Sequence, residues 1–160
     1  MTIAGKGMTD STRLGLSMRF GVVLDGIDLG GWSSCKGLGV GFDSEELEVG
    51  GNYEYNVILP KRVKYTPITL QRAMTADGSA QVQAWLRRIV ADWYSSDTAD
   101  DFHGSTAQIS LLDARNNAQA PVATWSLRNV YPKGWKGPDL DATSSHVAIE
   151  TLELVHQGFL

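Results

Sequence analysis

The sequence predicts a mainly β, antiparallel fold with one packed amphipathic helix. Three observations carry this. Short stretches of alternating apolar and polar residues recur from Phe20 to Leu154, the period of a strand with one face buried. Gly makes up 17 of the 160 residues, as expected for many turns and close backbone approaches. Only one segment, about 79–93, repeats apolar residues at helical spacing.

In chain order, residues 1–12 are small, polar and aperiodic, an expected flexible or assembly-ordered arm. Phe20, Val22 and Leu24 alternate into a first strand. Asp25-Gly26 then signals a tight hairpin, because its turn needs positive φ at both positions, and Ile27 to Trp32 returns. Leu38, Val40 and Phe42 suggest a third strand whose other face is Gly37, Gly39 and Gly41, bare enough for close backbone approach. Residues 43–65 form a long excursion, acidic at Glu45, Glu46 and Glu48 and basic at Lys61, Arg62 and Lys64. It is expected to protrude as a loop or hairpin turning at Gly50-Gly51. Its opposite charges suggest docking between identical subunits.

Thr66 to Arg72 alternates again. Ser79 is the expected N-cap of the helix, whose stripe is Val82, Trp85, Leu86, Ile89, Val90 and Trp93. Ala107, Ile109 and Leu111 mark a strand that should pair with Val122 to Val130. Their opposite faces carry Gln108 and Ser110, and Thr124, Ser126 and Arg128. Tyr131 to Pro138 holds two Pro and two Gly and is expected to bend out of any ladder, carrying Tyr131 and Trp135 as contact surface. A last strand spans Ser145 to His156. Its apolar parity switches near Glu150-Thr151, which suggests a bulge or a barrel corner.

The whole of 1–160 is expected to be a single domain. With 14 basic and 18 acidic residues the net charge is −4. That balance argues against specific nucleic-acid binding, which needs a basic footprint. One cysteine excludes an internal disulfide. No apolar leader or membrane-length run is seen. The expectation is cytoplasmic synthesis and assembly without membrane insertion, any later export needing lysis or a non-classical route.

Catalytic patterns are lacking. His103, His146 and His156 lie far apart and in no zinc spacing. Asp97, Asp100 and Asp101 lack the spacing of a calcium loop. Asp139 and Asp141 read as turn chemistry. Gly37 to Gly41 opens no helix and so is no nucleotide fingerprint. Lys36 could lower the pKa of Cys35, yet no base accompanies it. No catalytic, cofactor-binding or metal-binding residue is assigned and no cofactor is expected: the chain reads as a non-enzyme.

Several segments in this order and spacing carry a family resemblance. They are Phe20 to Gly26, Leu29 to Trp32 and Cys35 to Leu38; Gly50 to Tyr53 with Leu59-Pro60; Ile68 to Arg72; Gln83 to Leu86; Ile109 to Asp113; Trp125 with Tyr131-Pro132 and Trp135 to Pro138; and Glu150 to Leu154 with His156 to Phe159. Together they resemble the tail-tube family of phage-like contractile machines, closer to the inner tubes of contractile injection systems than to classical phage tubes. The resemblance implies a small β-barrel or sandwich of the tail-tube type with one packed helix. It also implies hexameric rings stacked as a hollow tube inside a contractile sheath, driven through a target envelope to deliver protein or DNA cargo. The implied partners are other copies of the chain, sheath, baseplate or spike, and tube-terminating proteins, within a phage-like particle.

On that reading Tyr53, Tyr55, Leu59, Arg62, Tyr131 and Trp135 are the assembly-interface candidates. Gln108, Ser110, Thr124 and Ser126 are the lumen-facing candidates. A type VI secretion tube protein or a classical phage major tail tube protein is the near alternative. A carbohydrate-binding β-sandwich, stacking sugars on Trp32, Trp125 and Trp135, is the distant one.

Overall fold

A computed structural model describes residues 18–95, 104–113, 121–143 and 145–160. The expected N-terminal arm, His103 and the Asp97, Asp100 and Asp101 cluster lie outside them. The described chain forms β1 (Met18–Leu24), β2 (Ile27–Trp32), β3 (Ser34–Lys36), β4 (Val40–Leu47), β5 (Val57–Tyr65), β6 (Ile68–Ala73), α1 (Ala76–Ser95), β7 (Ser105–Asp113), β8 (Ala123–Lys136) and β9 (Ile149–Val155).

Seven strands join in the order β2-β1-β7-β8-β9-β6-β3, while β4 and β5 form a separate two-stranded ribbon. Every pairing is antiparallel. The fold is of sandwich type rather than a closed barrel. Its two layers share β8, whose first half pairs with β7 and whose second half pairs with β9. At the other margin β2 and β3 are separated only by Ser33, so successive short strands serve opposite layers. The inward faces meet in one core that includes Val22, Leu29, Ile68, Ile109, Leu127 and Leu154, with Val82, Trp85 and Ile89 from α1. Each of these side chains contributes roughly 1.5–3 kcal/mol by leaving water.

The Asp25-Gly26 turn forms as its sequence demands, with φ of 49° and 77°. Asp25 also anchors it, since its Oδ1 accepts from the Thr106 N–H at 2.9 Å. The 43–65 excursion is the expected protruding hairpin, with Gly51 at φ 90° in its turn.

Five expectations need correction. Tyr131 to Lys136 does not leave the ladder but completes β8, with Tyr131 opposite Val155 and Trp135 opposite Leu152. A register shift between Pro132 and Gly134 absorbs the irregularity. Since β8 has a strand on only one side there, a residue lacking an N–H costs the ladder little. The apparent parity switch in the last strand is not a bulge, because β6 and β9 stay in register from Ile68↔Leu154 to Ala73↔Ile149. The buried parity is Glu150, Leu152 and Leu154, with a carboxylate occupying a core position.

The glycine-faced third strand is interrupted, since residues 37–39 connect β3 to β4. Gly37 has φ 94°, and a Cβ there would lie 1.9 Å from the Pro67 carbonyl oxygen. The close approach expected of that face therefore falls on one residue. The helix begins before Ser79: Thr75 caps it, its Oγ1 accepting from the Gly78 N–H at 3.2 Å. Finally, Val90 and Trp93 are exposed, because the buried stripe of α1 ends at Ile89.

Candidate functional surface

The ribbon is the most exposed part of the described fold. Phe42, Leu47, Val49, Tyr53, Tyr55, Ile58, Leu59 and Val63 all present large apolar surface to solvent, with Tyr53 98% exposed. Directly opposed residues in an antiparallel pair share a face. Phe42↔Val63, Ser44↔Pro60 and Glu46↔Ile58 therefore build one face, and Glu45↔Leu59 and Leu47↔Val57 the other. The charges pair within the ribbon: Lys61 Nζ lies 2.7 Å from Glu45 Oε2, and Lys64 Nζ 2.6 Å from Asp43 Oδ2. The opposite charges expected to dock separate subunits are thus used at least in part inside one subunit. Outward the ribbon offers a large apolar and aromatic surface beside exposed Glu46, Glu48, Glu54 and Arg62. A contiguous exposed apolar surface of this kind marks an interaction site.

The sequence-derived assembly residues fall into two groups. Tyr53, Tyr55, Leu59 and Arg62 are exposed on the ribbon. Tyr131 and Trp135 are partly buried in the second half of β8. Trp135 packs against its own core, and its Nε1–H donates to Glu150 Oε1 at 2.9 Å.

That bond belongs to a polar cluster that sequence reasoning missed. Glu150 is fully buried, and its Oε2 accepts from Arg72 Nε at 3.0 Å. Arg72 Nη1 donates to the Leu29 carbonyl. The guanidinium carbon sits 4.1 Å from the centroid of a Trp32 ring, a cation–π geometry. Four strands (β2, β6, β8 and β9) meet at these side chains. The available signal was Glu150 holding the parity of Leu152 and Leu154.

The lumen-facing candidates are brought together on the outward face of β7 and β8. Gln108 opposes Ser126, and Ser110 opposes Thr124. The Ser110 and Thr124 hydroxyls lie 3.4 Å apart. Gln108, Thr124 and Ser126 are exposed and Ser110 is half-buried, so the four make a polar, uncharged patch.

The residues weighed for chemistry are otherwise engaged. Burial pushes the Cys35 thiol up to about 11, so it stays protonated at neutral pH. Asp141 accepts from the Thr143 N–H and hydroxyl, as turn chemistry requires, and these bonds hold its carboxyl below the usual range. His156 packs against Tyr65 and Phe159, with ring centroids 5.2 Å and 5.9 Å away. Its Nδ1 accepts from the Gly158 N–H at 3.2 Å. Among the described residues, no three His, Cys, Asp or Glu side chains gather as metal ligands. No described helix is long and apolar enough to cross a membrane. A sugar-stacking platform of Trp32, Trp125 and Trp135 is not formed, because Trp32 is buried and Trp135 bonds inward.

Known proteins match this architecture. In a comparison of solved structures, the chain is similar to one in the sheath-tube complex of an extracellular contractile injection system, PVC, in the extended state. That match has TM-score 0.64 and 21% identity, over 94% of this chain and 95% of the other. A chain of the PVC sheath/tube terminator matches with TM-score 0.62 and 23% identity, over 88% and 90%. A chain of the anti-feeding prophage baseplate matches with TM-score 0.61 and 25% identity, over 89% and 91%. A comparison with curated proteins found no match. The family model described as T4-like virus tail tube protein gp19 matches residues 16–160. With the sandwich, the exposed ribbon and a match over nearly its whole length, the chain belongs to the T4-like tail tube protein family, whose members are structural tube subunits.

Proposed function

We propose that the chain assembles into hexameric rings that stack as the hollow inner tube of a contractile injection system. A sheath surrounds the tube, a baseplate and a terminator bound its ends, and contraction drives it through a target envelope to deliver cargo. The observation that carries this reading is the family match over residues 16–160, joined to an isolated ribbon whose apolar face has no cover in the monomer. Two-stranded ribbons are marginal alone, so a ribbon of this length gains order by docking. Similarity to chains from sheath-tube, terminator and baseplate complexes supports the partner set. The particle would be built inside the producing cell and act outside it.

Within this reading Tyr53, Tyr55, Leu59 and Arg62 on the ribbon are the assembly contacts. Tyr131 and Trp135, partly exposed on the second half of β8, are further candidates for contact with a neighbouring copy. The Gln108, Ser110, Thr124 and Ser126 patch faces the lumen, where a polar, weakly charged wall lets cargo slide. Electron microscopy of concentrated pure protein is the direct test. Hollow tubes or six-fold rings support the assignment, and a strictly monomeric solution overturns it. Ser110→Arg with Thr124→Arg should then leave tubes intact and change what they carry. Tubes whose cargo is unaltered would remove the lumen assignment alone.

A further inference from the structure

Three rings close over the root of the ribbon. His156, just beyond β9, lies 5.2 Å from Tyr65 and 5.9 Å from Phe159, and Tyr65 and Phe159 are 5.3 Å apart, centroid to centroid. Each ring comes from a different part of the chain: the last residue of β5, the end of β9, and the 157–160 segment. That segment is pinned to β8. The Gln157 N–H donates to the Arg128 carbonyl at 2.9 Å, and the Arg128 N–H donates to the Gly158 carbonyl at 2.8 Å. Asn129 Nδ2 donates to Gln157 Oε1 at 2.8 Å. Gly158 is buried with φ 143°, and a Cβ there would lie 2.6 Å from Arg128 Nη2 and 3.0 Å from the Tyr65 hydroxyl. The segment therefore passes with bare backbone between those two side chains.

The imidazole at the centre is held in its neutral form. Its Nδ1 accepts from the Gly158 N–H at 3.2 Å, which an unprotonated nitrogen alone can do. Its Nε2 is buried and makes no hydrogen bond of normal geometry. Burial disfavours the charged ring more than the Thr66 backbone favours it. The groups around the ring supply no counter-charge. β5 contributes the Tyr65 phenol, β8 contributes the Arg128 guanidinium across Gly158, and Val155 and the side chains of 157–160 are uncharged. Among the described residues no carboxylate forms an ion pair with His156.

We infer that His156 is an acid-sensitive latch: the neutral ring holds the ribbon root and the 157–160 segment closed on β8, and proton uptake releases them. A proton on Nδ1 turns the acceptor into a donor that faces the Gly158 N–H. It also sets a second positive charge near Arg128, with no carboxylate to offset it. The Gly158 bond is lost, and with it the turn that presents residues 157 and 158 to Arg128. Histidine is the side chain whose charge changes in mildly acidic water. The release is local, because the β6–β9 ladder, from Ile68↔Leu154 to Ala73↔Ile149, is complete without the ring. The latch is a property of one subunit. Its consequence for assembly rests on the tube-subunit reading: a ribbon that docks with its root held at neutral pH should dock less firmly in acid.

Hydrogen exchange read by mass spectrometry tests this at pH 7.5 and pH 5.5, with labelling times adjusted for the intrinsic effect of pH on exchange. The amides of Arg128, Gln157 and Gly158 should lose protection severalfold in acid, while those of β6 and β9 keep theirs. His156→Asn retains a neutral acceptor near the position of Nδ1, so its protection should be equal at the two pH values. Unchanged protection in the natural chain overturns the latch, and so does an equal loss in His156→Asn. A second variant does not depend on that substitution being tolerated. Arg128→Gln removes the neighbouring cation and should move the release to higher pH, and an unmoved midpoint overturns the proposal. Electron microscopy of the same samples separates the two readings. Tubes that shorten or disperse at pH 5.5, and persist in His156→Asn, support the coupling to assembly. Tubes that persist while the amides are released overturn that coupling alone. Release in a protein that forms no tubes at either pH supports the latch and overturns the tube-subunit reading.

Discussion

At the scale of single residues, Glu150 decides most. It stands in a core parity between apolar neighbours, yet it accepts from Arg72 and Trp135 and so satisfies both its oxygens. Removing one partner of a buried pair leaves the other charge without compensation, which costs about 3–5 kcal/mol. Glu150→Ala should lose that much in urea unfolding. Arg72→Met with Glu150→Met should recover most of it, since a well-packed apolar pair replaces both charges. His156 gives a second prediction. Partial burial holds its pKa below the ordinary 6.5, with a Thr66 backbone contact acting the other way. The unfolded chain then takes up the proton first as pH falls. The stabilising contribution is complete above the ordinary histidine range and is lost as pH drops through it toward the folded value. Denaturation midpoints across pH 7 to 5 should show this slope, and His156→Phe should flatten it.

At the scale of elements, α1 and the ribbon illustrate different limits on local signals. Both Thr75 and Ser79 have capping chemistry, and their spacing alone does not choose between them. The choice follows from packing: Ser79 is buried and accepts from Gln83 Nε2, while Thr75 stands at the boundary. Thr75→Ala should destabilise the fold by about 0.5–2 kcal/mol, as loss of an N-cap does, measurable by thermal or urea unfolding. For the ribbon, acidic and basic arms were legible from sequence, but not that they would neutralise each other. Antiparallel pairing put Asp43 near Lys64 and Glu45 near Lys61, and exposed pairs of this kind contribute little to stability.

At the scale of the whole molecule, a ribbon that pairs Asp43 and Glu45 internally and projects Phe42, Ile58 and Val63 should assemble more through burial than through ionic attraction. Raising NaCl toward about 1 M, where screening acts over roughly 3 Å, should leave tube formation intact by light scattering. Sulfate should promote it, because excluded salts favour burial of apolar surface. Dissociation on adding NaCl would show that charged contacts dominate instead.

The sequence by itself determined the fold class, the Asp25-Gly26 turn, the helix over Val82 to Ile89, the protruding hairpin and the family, because each rests on local periodicity, turn chemistry or ordered motifs. Residue pairing across the sheet needed the tertiary structure. Tyr131 to Lys136 looked like a break because Pro and Gly oppose strand locally, and only β9 alongside, with a shift at Lys133, holds it in a ladder. Glu150 looked like a change of face because a carboxylate is costly to bury, and only Arg72, 78 residues away, makes that position tenable.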